Sequence, residues 1–197
     1  MTTPYHADNW VTLLAGDARA VLAELPEASV SFVMTSPPFW GLRKYAGPQE
    51  ATWGGQPGCE HVWGKTVVRK GKGNTMGSDI GAKKKLAVVS DSGSTCSLCG
   101  AWRGGLGTEP SPERYIANLM EVMDALYRVL APWALCVVNL DDTRMDEDMA
   151  LIPERFILAA QARGWRVVSK VIHAPPNPMP ESARLRPTDA YQVNFML

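Results

Sequence analysis

The chain has no run of about 18 apolar residues able to cross a bilayer and no basic-then-apolar leader, so neither a membrane span nor an export signal is expected and the protein is placed in the cytoplasm. Charge of either sign is not in excess. Twenty Lys and Arg against 20 Asp and Glu leave no overall field to draw in nucleic acid, so binding of that kind has to come from local patches. Cysteine is sparse, and in a reducing compartment Cys59, Cys96, Cys99 and Cys136 are thiols or metal ligands rather than disulfides. No Gly-x-Gly is read after a strand, so the tight strand-to-helix turn that lets a backbone approach a nucleotide-like cofactor is missing. The remainder is ordinary: 197 residues, 46% hydrophobic and 20% charged, fit one globular domain or one domain with an insertion.

The most informative stretch is Ser29 to Tyr45, SVSFVMTSPPFWGLRKY. Val30 to Thr35 is apolar or β-branched at five of six positions and ends in Ser36-Pro37-Pro38-Phe39, which predicts a buried parallel-type strand opening into a rigid loop. Ligands bind at the carboxyl ends of strands in open α/β sheets. Two prolines fix φ and carry no N–H, so the Ser36 hydroxyl and the nearby carbonyls form an acceptor site beside the Phe39 ring. Such a site suits an exocyclic amine on a nucleobase, whose N–H groups need acceptors and whose ring can stack. A plain turn is the alternative.

Thr35-Ser36-Pro37-Pro38-Phe39 after an apolar strand, with Gly16-Asp17-Ala18-Arg19, Leu22, Leu25-Pro26 and Ser29-Val30 before it, resembles the DNA amino-methyltransferases of the permuted class, where this motif comes early. The resemblance implies S-adenosylmethionine as methyl donor, double-stranded DNA as substrate, and Ser36, Pro37, Pro38 and Phe39 as the catalytic loop. It also implies Asp17 and Thr35 on the cofactor side. Asp17 equally suits the N-cap of a helix from Ala18 to Leu25 that follows a short strand from Asn9 to Ala15. The family's Phe-x-Gly-x-Gly cofactor segment is expected beyond the last residue here, so the resemblance covers nearly all of this chain and about two-thirds of the family's length.

Residues 41–107 lose apolar periodicity to Gly, Ser, Lys and Trp, which predicts an insertion outside the sheet that needs a staple. Cys59-Glu60-His61 and Cys96-Ser97-Leu98-Cys99-Gly100 supply one: a Cys-x-x-Cys turn and two further ligands make a closed tetrahedral zinc site. A redox pair at Cys96 and Cys99, or four unrelated residues, are the alternatives. Phage-type members of the family resemble this chain in carrying such an insertion. Between the ligand pairs lie Lys65, Arg69, Lys70, Lys72, Lys83, Lys84 and Lys85 against the single Asp79, suited to sequence-blind contacts with DNA phosphates or simply to a solvated loop.

Ser111 and Pro112 announce an amphipathic helix from Pro112 to Leu130, followed by a strand from Ala134 to Leu140, a helix from Ile152 to Ala162, and strands from Trp165 to His173 and Tyr191 to Leu197. The family usually reads Gly-Asp-Ser-Tyr and Ser-His-Glu where this chain has Asp141-Asp142-Thr143-Arg144 and Thr188-Asp189-Ala190. The expected architecture is therefore α/β: a partial, Rossmann-like methyltransferase sheet from residues 1–40 and 108–197, interrupted by a zinc-binding basic insertion at 41–107. The implied activity is site-specific methylation of a DNA amino group, cytosine N4 before adenine N6 because serine stands where adenine enzymes commonly have aspartate. Strand accounting predicts a gap between the Asn9 and Val30 strands, closed by their pairing, by a second chain or by self-association. A non-catalytic DNA-binding or partner subunit is the alternative function.

Overall fold

The computed structural model describes residues 2–42, 50–64, 94–145, 148–178 and 186–197. In chain order these form β1 (His6–Ala7), β2 (Thr12–Leu13), α1 (Ala18–Glu24), β3 (Val30–Thr35), β4 (Ala51–Trp53), β5 (Trp102–Gly104), α2 (Pro112–Val129), β6 (Leu130–Leu140), β7 (Arg144–Met145), β8 (Asp148–Met149), α3 (Ile152–Ala162), β9 (Ser169–His173) and β10 (Gln192–Met196). The basic run Lys65, Arg69, Lys70, Lys72, Lys83, Lys84 and Lys85 lies outside the described residues.

A four-stranded mixed sheet in the order β3-β6-β10-β9 carries the fold, with β3 parallel to β6 and the remaining neighbours antiparallel. Side chains alternate between the faces of a strand. On one face Cys136, Val138, Leu140, Val193 and Phe195 join Tyr115, Leu119, Met123 and Phe156 of α2 and α3 in a single apolar core. α2 begins where the sequence places it: Ser111 accepts from the Arg114 N–H, Pro112 occupies the first turn and Glu113 sits at the positive end of the helix. At its other end Arg128 donates to the carbonyls of Leu22 and Leu25 at 2.7 and 2.8 Å, satisfying the free carbonyl end of α1. α3 starts at Leu151, which has φ 55° and no capping side chain of its own. The Asp142 carboxylate does that work, accepting from the N–H groups of Leu151 and Ile152 at 3.0 Å each.

Three expectations change. β3 has the predicted ends but, among the described residues, is an edge strand, with Phe32 56% and Met34 70% exposed; a short apolar run does not say how many neighbours it has. The Asn9 to Ala15 segment is not one strand of the sheet, since β1 and β2 pair antiparallel with each other around an Asp8 turn, and Trp10 is 93% exposed. It therefore does not close onto β3. β6 begins at Leu130 rather than Ala134, and the β3–β6 register shifts between Val30 and Phe32 near Pro132, which has no N–H to give the ladder. None of the described helices is long and apolar enough to cross a membrane.

Candidate functional site

β3 and β6 run parallel and place their carboxyl ends side by side, Thr35 opposite Val138. The next residues meet at once. The exposed Ser36 hydroxyl donates to Asn139 Oδ1 at 3.4 Å, and Asn139 Nδ2 donates to Asn194 Oδ1 at 3.0 Å, across the matched pair of β6 and β10. With its proton directed at Asn139, the Ser36 oxygen turns its lone pairs outward as an acceptor. Pro37 is buried, Pro38 and Phe39 are half-buried, and Phe39 rests against the core cluster.

A second set of groups that the sequence does not flag grips the loop. Tyr115 on α2, fully buried, donates its O–H to the Pro38 carbonyl at 3.0 Å. Glu109, 5% exposed, accepts from the Gly107 N–H at 2.7 Å and from Asn118 Nδ2 at 3.0 Å, while its own carbonyl accepts from the Trp40 indole at 2.9 Å. Burial pushes the Glu109 carboxyl above its usual range, opposed by the hydrogen bonds from Asn118 and Gly107. Burial first and the Glu109 charge second push the Tyr115 phenol up as well, so it stays a neutral donor. Gly107 has φ +91°, and a Cβ there would lie 3.0 Å from the Pro38 oxygen and 3.1 Å from that of Phe39, so only glycine lets the two backbones approach this closely. The expectation that no Gly-x-Gly follows a strand is corrected here: Gly105-Leu106-Gly107 comes directly after β5. A three-residue strand in a Trp- and Gly-rich segment shows no periodicity, and the glycines meet the proline loop.

Asp17 caps α1, accepting from the Arg19 N–H at 2.9 Å, and its other oxygen pairs with the Arg19 guanidinium at 3.1 Å. The Arg19 hydrogen bond holds its carboxyl below the usual range. Arg19 also reaches Glu121 at 2.8 Å and stacks over Trp53 at 3.9 Å, tying α1, α2 and β4 together. The two departures at Arg144 and Asp189 meet in an ion pair at 3.1 Å, which Arg186 joins at 3.0 Å.

Cys59, His61, Cys96 and Cys99 converge, with one donor atom from each all within 4.8 Å of one another. Cys99 Sγ and His61 Nδ1 are 3.4 Å apart. Three thiols and an imidazole at this spacing fit a tetrahedral zinc ion, whose ligands lie roughly 2.0–2.3 Å from the metal. Burial raises the Cys96 thiol, but the N–H groups of Cys99 and Leu98 and the His61 ring bring it down to about 6. The cluster is held by β4 and β5, which pair Trp53 with Trp102, and by bridges joining Trp63 to Cys96 and Thr95 to Trp102. Cys136 lies apart, fully buried in the core, its thiol pushed up to about 11 by burial.

Comparison with known proteins gives a consistent picture. The type II methyltransferase M.Cfr9I of Citrobacter freundii is 30% identical over 189 residues, 96% of this chain and 54% of its own length. M.XycI of Xanthomonas campestris pv. cyanopsidis is 31% identical over 185 residues, 94% of this chain and 53% of its own. The chain thus spans about half the length of the curated relatives it matches. Among solved structures the fold resembles the PvuII DNA methyltransferase (cytosine-N4-specific), with TM-score 0.60 and 15% identity over 99% of this chain and 51% of that one. Residues 30–197, from the first residue of β3 to the last of the sequence, match the DNA methylase family, and the chain belongs to that family.

Proposed function

We propose that the chain carries the amine-accepting part of a site-specific DNA methyltransferase acting on an exocyclic amino group, cytosine N4 before adenine N6. The Ser36 hydroxyl, oriented by Asn139 so that it accepts, is the observation that carries this. Ser36 Oγ and the Pro37 carbonyl take hydrogen bonds from the two amino protons of an extruded base, and Phe39 stacks on its ring. That draws the nitrogen lone pair out of conjugation and leaves it nucleophilic, with no covalent intermediate. S-adenosylmethionine, when bound, supplies the electrophilic methyl group.

The described residues do not by themselves enclose such a cofactor. Asp17 is already satisfied by Arg19, and among the described residues no strand pairs with the outer edge of β3, where Phe32 and Met34 are exposed. Asp17 and Thr35 are therefore one wall of a cofactor site that a further polypeptide, a second chain or another copy, completes along that edge. An unpaired strand edge invites such pairing. Residues 41–107 act as a zinc-stapled insertion between the two parts of an α/β domain at 1–40 and 108–197. Cys59, His61, Cys96 and Cys99 hold a structural zinc ion, and Lys65, Arg69, Lys70, Lys72, Lys83, Lys84 and Lys85 contact DNA phosphates. The open edge also favours a second function, a non-catalytic DNA-binding or partner subunit.

Ser36→Ala and Phe39→Ala separate the two. In an active assembly, transfer of a labelled methyl group to duplex DNA is lost in both variants, while DNA affinity stays within a few-fold because phosphate contacts dominate it. Full transfer by Ser36→Ala removes that residue from the chemistry.

A further inference from the structure

We propose that Tyr115 and Glu109 are positioning residues of the acceptor loop: Tyr115 occupies the Pro38 carbonyl, so that the Pro37 carbonyl is the one left to pair with Ser36 on an incoming amine. The inference rests on the amine-accepting role of the loop and adds what selects its geometry. Two adjacent prolines present two carbonyls and no N–H groups, so a base amine could dock in either of two registers. A buried phenol at 3.0 Å removes one of them. Among the described residues the Pro37 carbonyl has no comparable partner.

The phenol is itself fixed. Tyr115 lies on the first turn of α2, its N–H bonded to the Ser111 carbonyl at 3.1 Å, and its ring is wholly inside the core. Glu109 locks the opposite side. Its carboxylate pins Gly107 and Asn118, its carbonyl holds Trp40, and the Gly107 carbonyl accepts from the Gly41 N–H at 2.9 Å. The loop from Pro38 to Gly41 is thus fastened at three points, the Pro38 carbonyl, the Trp40 indole and the Gly41 N–H. A carboxylate with two hydrogen bonds tolerates this burial; a lost partner would leave donors stranded. Neither residue touches the substrate, and both act through the loop.

The test uses the full chain labelled with proline carrying 13C at the carbonyl, and reads the carbonyl resonances of Pro37 and Pro38 by NMR while deoxycytidine or deoxyadenosine is added. Deoxyuridine and deoxyinosine, which lack the amine, serve as controls. In the wild-type chain the Pro37 resonance moves with an amine-bearing nucleoside and not with the controls, and the Pro38 resonance does not move. In Tyr115→Phe, which keeps the ring and its packing, the Pro38 resonance of the free protein shifts as its hydrogen bond is lost and now responds to the nucleoside. Glu109→Gln keeps the side-chain volume but replaces one acceptor with a donor, and shifts the Gly107 and Gly41 amide resonances together. Response of Pro38 in the wild type, or an unchanged Pro38 in Tyr115→Phe, overturns the role of Tyr115; unmoved Gly107 and Gly41 amides in Glu109→Gln overturn that of Glu109. If neither proline of the wild-type chain responds to any nucleoside, the amine-accepting role itself fails, and the proposal with it.

Discussion

The sheet and the cysteine-histidine unit solve the same problem with different means. Behind β6 and β10 the sheet hides Tyr115, Leu119, Met120, Phe156 and Phe195 almost completely, a contiguous core of the kind that stabilises a domain by removing apolar area from water. In residues 50–64 and 94–104 the buried apolar residues are four: Trp53, Cys96, Ala101 and Trp102. That is too little to order the segment, and four convergent ligand atoms stand in its place. The sheet should therefore answer to packing mutations and the unit to the zinc ion proposed for it.

The largest effect is on the unit. Metal binding to structural zinc sites is worth about 10–16 kcal/mol in small peptides and is folding energy. Cys99→Ser, or chelation, should unfold residues 50–64 and 94–104, seen as loss of amide protection there, while the sheet keeps one cooperative urea transition. Elemental analysis should find about one zinc per wild-type chain, and protein purified without chelators that contains no metal would end the assignment. Phe156→Ala tests the converse: a core deletion of this kind costs about 3–5 kcal/mol, lowering the urea midpoint of the sheet without changing metal content.

Glu109 joins the return of β5 to the acceptor loop. Glu109→Ala strands the Gly107 N–H and the Asn118 amide, at a cost of about 1–3 kcal/mol. Its pH dependence has a definite sign. The carboxyl is raised above 4.5 by burial, so its stabilising contribution is complete below that value and declines as pH rises through the raised one. The stability of the wild type relative to Glu109→Gln should fall as pH rises through the raised pKa of Glu109, measured by urea midpoints; a difference that grows with pH would contradict this. Arg19→Ala removes the contacts to Glu121 and Trp53 that link α2 to β4. These partly exposed contacts are worth about 1 kcal/mol, and the expected result is a small loss in stability with uncoupling of the unit's unfolding from that of the sheet.

How far the sequence discloses this differs by region. α3 has the predicted bounds, Ile152–Ala162, and α2 ends within a residue of its expected end, because apolar spacing, caps and a following glycine act locally. The convergence of Cys59, His61, Cys96 and Cys99 is legible from spacing, since a Cys-x-x-Cys turn brings its two sulfurs together by itself. The exposure of Phe32 and Met34 is not legible, because it depends on which strand lies beyond β3. Glu109 and Tyr115 are also hidden: one reads as part of the lead-in to α2 and the other as a core residue, and both descriptions are correct. Their polar atoms gain meaning only when the Pro38 and Gly107 backbones come within hydrogen-bonding distance, which is a tertiary event.

The smallest effect on stability belongs to the residue on which the account depends. Ser36 is exposed and has one long hydrogen bond, so Ser36→Ala should change stability by less than about 0.5 kcal/mol. The direct measurement is mass spectrometry of nucleosides from the DNA of the cells in which this chain naturally occurs, where whatever completes its cofactor site is also present, compared with the same cells carrying Ser36→Ala. The account predicts N4-methyldeoxycytidine, or in second place N6-methyldeoxyadenosine, in the first and its disappearance in the second at equal protein levels; a methylated amino base that persists in Ser36→Ala, or none in either, would contradict it.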